Sequence, residues 1–68
     1  MTNEEIGDFV VARAQEVNEP DVTRERWLET WHEVRPLIQG TARWIFAQTW
    51  GRVGRERGWL QRGQLLPS

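Results

Sequence analysis

Glu29 and His32 stand three residues apart, a spacing that puts a carboxylate and an imidazole on one face of a helix. Carboxylate-bridged di-iron bundles use that step, but they also need a Glu from each facing helix, all pointing inward. Trp31 takes the inward direction here. Glu29 and His32 therefore fall on a flank, where with Glu25 and Glu33 they form a solvated acidic edge. His32-Glu33 opens like a zinc-protease motif, yet Pro36 occupies the position that the second His would need. The chain has one His, no Cys and no Lys, and its hydroxyls (Thr2, Thr23, Thr30, Thr41, Thr49 and Ser68) sit at caps, helix surface or chain end. No nucleophile–base pair emerges, so the expectation is no enzyme, no metal and no cofactor.

The segment Gly51-Arg52-Val53-Gly54-Arg55-Glu56-Arg57-Gly58 superficially resembles a phosphate loop. No strand precedes it and no Lys-Ser/Thr follows it, which excludes a P-loop. Arg52, Arg55, Arg57 and Arg62, with Arg43, are interleaved with Trp44, Trp50 and Trp59. Such a set could neutralise a phosphate backbone and stack on unpaired bases, so a nucleic-acid-binding module is the alternative function. Against it stand a net charge of −1, the lack of a nucleic-acid motif, and the plain suitability of cations at a helix C-terminus.

The elements that must position these residues are helices. Ile6, Phe9, Val10 and Val17 follow the spacing of one helical face, so residues 3–18 form an amphipathic helix. Thr2 and Glu5 fit a capping box at its start. Asn18-Glu19-Pro20-Asp21 breaks it, and Thr23 caps the next helix. From there Trp27, Trp31, Val34, Ile38, Ala42, Ile45, Thr49 and Val53 make a seam with steps of four and three. Pro36 should kink this helix, and Gly40 offers a second break. Because the seam keeps its phase across both, one long helix kinked near Pro36 is favoured over a three-helix reading broken at Gly40. Gly51, Gly54 and Gly58 each cost about 1 kcal/mol in a helix. Residues 1–58 therefore form the single domain and 59–68 a loosely ordered tail.

A chain of 68 residues buries only about 60% of its unfolded surface, and domains this small usually need a staple. Without Cys there is no disulfide, which leaves dense packing around five Trp, self-association or a partner. No apolar run approaches the ~20 residues of a membrane span, and the acidic N-terminus lacks a signal-peptide core, so a cytoplasmic protein is expected. The N-terminal half is acidic and the C-terminal half basic, which suits antiparallel docking of the halves.

The expected fold is all-α: a helical hairpin of a short helix, a Pro-containing turn and a long helix, dimerising into a bundle. A first helix of about 24 Å cannot cover a second of about 40 Å. Core positions are Ile6, Phe9, Val10, Val17, Trp27, Trp31, Val34 and Ile38. Arg43, Trp44, Ile45, Phe46, Trp50 and Val53 are left to an interface, either with a second copy or with a partner, since Trp and Arg are enriched at binding hot spots.

In size, Lys-free Arg-rich composition and the placing of Asn18-Glu19-Pro20-Asp21 between two amphipathic helices, the chain resembles the small early proteins that temperate phages use against host regulators, such as the anti-quorum-sensing type. That resemblance implies a non-catalytic inhibitor in the host cytoplasm. It would dock on a host transcription regulator. A structural assembly component, for which self-association would be the whole function, is the third class.

Overall fold

The structure, a computed structural model, describes residues 2–61 and contains three α-helices among them: α1 (Asn3–Val17), α2 (Arg24–Val34) and α3 (Gly40–Glu56). The start of α1 is held by the capping box. Thr2 Oγ1 accepts from the Glu5 N–H at 3.1 Å, and Glu5 Oε1 accepts from the Thr2 N–H at 3.2 Å. The chain reverses through residues 18–21. Thr23 Oγ1 then accepts from the Arg26 N–H at 3.1 Å to cap α2.

The single long helix expected from Thr23 onward is divided. Its α-helical part ends at Val34, Pro36 lies in a 3₁₀ turn over Arg35–Leu37, and Ile38 and Gln39 are extended. Gly40 enters α3 at φ +61°, a left-handed conformation that costs glycine little. Pro36 has no N–H with which to continue the ladder, and the extended residues re-aim the chain. The seam therefore loses its phase. Ala42 and Ile45 are exposed and Thr49 is half-buried, and α3 buries Phe46, Trp50, Val53 and Gly54 instead.

Ion pairs between residues 13–16 of α1 and residues 26–33 of α2 tie those two helices in antiparallel array. The Arg52 guanidinium donates to Asn18 Oδ1 at 2.8 Å and that of Arg57 to the Glu19 carbonyl at 2.9 Å. The C-terminal end of α3 thus lies beside the C-terminal end of α1, and the two helices run in the same direction.

The core is a row of rings taken alternately from different elements: Trp59, Trp27, Trp50, Trp31 and Phe46. At its centre Trp27 of α2 and Trp50 of α3 stack with centroids 3.8 Å apart and planes 6° from parallel. Each indole N–H donates to the other residue's carbonyl, Trp27 Nε1 at 2.9 Å and Trp50 Nε1 at 2.7 Å. The pair is thereby both apolar and satisfied, as buried Trp requires. Thr30, fully buried, donates its hydroxyl to the Trp27 carbonyl at 2.6 Å.

The end of α3 closes this row. Gly58 takes φ +76°, the Trp59 N–H donates to the Gly54 carbonyl at 2.7 Å, and the Gly58 N–H to the Arg55 carbonyl at 3.2 Å. That pair of bonds is a Schellman motif. It folds Leu60, 8% exposed, and half-buried Trp59 back onto the core, so these two residues belong to the packed domain and not to the loose tail expected from 59 onward. Residues 62–68 of that tail, Arg62 among them, lie outside the described residues. Gly54 makes the closure possible, because a Cβ there would collide with the Trp27 ring and sit 3.0 Å from Leu60 Cγ.

An apolar groove between α1 and α3

Of the residues expected at an interface, Phe46, Trp50 and Val53 are 2%, 0% and 1% exposed, so they are core. The reason is the rotation of α3 just described, which turns the 46–50–53 face onto α2. Arg43 is half-buried and donates to the Arg35 carbonyl at 3.1 Å, pinning α3 to the 3₁₀ turn. Trp44 and Ile45 do face solvent, 62% and 56% exposed, together with Val11 on α1 at 57%. Val17, Trp27, Trp31, Val34 and Ile38 are buried as expected. Ile6, Phe9 and Val10 are half-buried against that core and do not close it.

They stop short because α1 and α3 do not meet along their outer sides. Between them runs a solvent-open groove of about 370 Å³, walled by Ile6, Val10 and Ala14 on α1 and by Ala42, Ile45 and Thr49 on α3, with Phe46 among its lining. Small side chains leave it open. Gly7, Ala14 and Ala42 contribute little or no bulk, and a Cβ at Gly7 would meet nothing within 4 Å. Its polar lining is limited to Asn3 and Thr49, too few to orient a small polar ligand, whereas apolar side chains of a protein would fill it.

The polar residues singled out by sequence lie elsewhere. On the α1–α2 side Arg26 bridges Glu16, Glu29 and Glu33, with Arg26–Glu33 at 2.7 Å, Arg26–Glu29 at 3.1 Å and a close Arg26–Glu16 contact. Arg13 joins the network through Glu33 at 2.9 Å and stacks over Phe9 at 4.5 Å. Hydrogen bonding to Arg26 holds the Glu16 and Glu33 carboxyls below the usual carboxylate range, and Arg13 adds to the effect at Glu33. The acidic edge is thus an ion-pair lattice, with Glu29 engaged by Arg26 and His32 exposed. A second depression, at the α1–α2 turn, is lined by Glu16, Asp21 and Arg26 and belongs to the same lattice. Among the described residues no cluster of His, Cys, Asp or Glu could hold a metal ion. No described helix is long and apolar enough to cross a membrane.

The arginines proposed for phosphate are largely engaged within the chain. Arg52 pairs with Glu56 at 3.3 Å as well as with Asn18, and Arg57 lies over the Trp59 ring at 5.4 Å in addition to its bond to Glu19. Arg55 is exposed on the outer side of α3. Arg52 and Arg57 are thus each held by groups of the chain itself, whereas Arg55 projects to solvent. Sequence reasoning missed the groove itself. Its one legible signal was the small residues Gly7, Ala14, Ala42 and Thr49 at helical spacing beside larger apolar ones.

No protein-family model, curated protein or solved structure matches the chain.

Proposed function

We propose that the protein is a non-catalytic binding module that docks on a larger protein and modulates it. The carrying observation is the uneven treatment of apolar surface. One side buries its aromatics almost completely, while Val11 and Ile45 in the lining of an open apolar groove, and Trp44 outside that lining, are more than half exposed. Exposed apolar surface of this kind in a small domain marks an interaction site. Trp44, flanked by Arg43, supplies the anchor type most enriched at hot spots. The resemblance to phage anti-host proteins names a class of target, a host transcription regulator held by occlusion.

The test is retention of partner proteins by immobilised chain from a cell lysate, wild type against Trp44→Ala, with folding checked by circular dichroism. A partner retained by the wild type and lost by at least about tenfold with Trp44→Ala supports docking through the exposed Trp44. Equal retention by both would remove Trp44 from the function. Retention of nucleic acid that falls steeply with added salt would favour the phosphate-binding alternative instead.

A further inference from the structure

The three helices are not fastened alike. The buried core runs from Val17 through Trp27, Trp31, Val34, Ile38, Phe46, Trp50 and Val53 to Leu60, and α1 contributes only its last residue to it. The polar ties of α1 crowd the same end. Arg13–Glu33 at 2.9 Å, the Arg26–Glu16 contact, and the bonds from Arg52 to Asn18 and from Arg57 to Glu19 all fall within residues 13–19 of that segment. Among the described residues, no hydrogen bond or ion pair joins residues 2–12 to another helix.

Residues 3–12 are therefore held by the apolar contacts of Ile6, Phe9 and Val10. Each of these is half-buried, and Ile6 and Val10 face the open groove of about 370 Å³. Local propensity does not make up the difference. A segment this short is marginal as an isolated helix, and Gly7 in its middle weakens it further. Once released it would melt. The opposite wall of the groove is built differently, since α3 is locked to α2 by the Trp27–Trp50 stack and its two indole hydrogen bonds.

We propose that residues 3–12 form a movable arm, which detaches and melts as one unit while Val17 and the ion-pair lattice hold the end of α1 as a hinge and the α2–α3 core stays folded. The groove then has one fixed wall and one that opens. With the arm docked, Ile38 and Phe46 on the groove floor are 5% and 2% exposed, and its release makes them accessible from the α1 side. Access to this apolar floor is thus governed by an equilibrium inside the chain. The inference goes beyond docking at Trp44 and does not depend on it.

Native-state hydrogen exchange resolved by residue, at a series of urea concentrations below global unfolding, tests it. The amides of Gly7 to Ala12 should share one opening constant, at least about tenfold larger than that of the amides of Trp31, Val34, Trp50 and Val53. It should also rise less steeply with urea, because the opening exposes less surface than unfolding. Val53→Ala, at the end of α3 remote from the arm, should speed exchange in the core by about tenfold and leave Gly7 to Ala12 unchanged, since it destabilises the closed and open states alike. Arm and core amides with one protection and one urea slope would overturn the proposal. So would protection graded steadily from Gly7 to Val17, which is fraying, or arm exchange that follows core exchange in Val53→Ala. If that variant does not fold, the wild-type pattern decides alone. Loss of a partner with Trp44→Ala stands or falls separately from all of these.

Discussion

The α2–α3 contact and the α1–α3 contact are both made by apolar helix faces, yet they are finished to different degrees. Between α2 and α3 two indoles stack and exchange hydrogen bonds with each other's backbone, so no polar atom of that pair is left wanting. Between α1 and α3 an apolar groove stays open, lined in part by the small side chains of Ala14 and Ala42. The first contact specifies the monomer. The second leaves apolar surface open to water, which is the physical difference between a filled core and an unfilled face.

The largest break in this comparison comes from the finished side. Trp27→Ala removes a ring from the middle of the aromatic row together with the indole N–H that donates to the Trp50 carbonyl. The expected loss is about 3–5 kcal/mol, comparable to the whole stability of a domain this size. In urea titration followed by circular dichroism the variant should be unfolded or nearly so. Trp44→Ala, the same chemical change at an exposed site on α3, should cost no more than about 0.5 kcal/mol by the same measurement. Similar losses for the two would mean that the two faces are not distinct.

A smaller effect is expected at Gly54. In an exposed helix Gly→Ala stabilises by about 1 kcal/mol, but here the added methyl meets the Trp27 ring and Leu60. Gly54→Ala should therefore destabilise by about 1–3 kcal/mol through overpacking. A rise in the denaturation midpoint would show that the Trp27 ring and Leu60 do not pack on Gly54 in solution.

The smallest effect concerns the Arg26 lattice that fastens α1. Its carboxyls, Glu16 and Glu33, are held below their ordinary range, so the unfolded chain binds protons that the folded chain refuses. Their contribution is complete above the ordinary carboxylate range and is lost as pH falls through and below it. Arg26→Gln should flatten this acid limb of stability while lowering neutral stability by about 1 kcal/mol or less, as expected for part-exposed ion pairs. An unchanged pH profile in the variant would place the acid sensitivity elsewhere.

Much of the helical character was legible because it depends on local chemistry. Thr2 and Glu5, Thr23, and the run from Ile6 to Val17 mark caps and faces that need no tertiary information. The middle of the chain was not legible in the same way. A seam that keeps its phase across Pro36 is compatible with one helix or two, and only the extended backbone of Ile38 and Gln39 decides between them. That decision rotates α3 and so exchanges Phe46 and Trp50 for Ala42 and Ile45 at the surface. Gly54 and Gly58 looked like helix weaknesses, since a helix-propensity scale cannot see that one admits a neighbouring ring and the other ends the helix in a left-handed turn. Of the residues expected at an interface, Trp44 and Ile45 are exposed, but the groove that Ile45 lines required knowing that α1 and α3 run side by side in one direction.

The 3.8 Å stack of Trp27 and Trp50 has a spectroscopic consequence. Two indoles held that close and nearly parallel share their excited states, so their transitions split, and their circular dichroism carries a couplet that exists only while α2 and α3 are packed. Trp44, 62% exposed, should emit as a largely solvated indole. The same residue type thus offers two optical channels, one for the integrity of the core and one for the exposed side of α3, and neither requires a label.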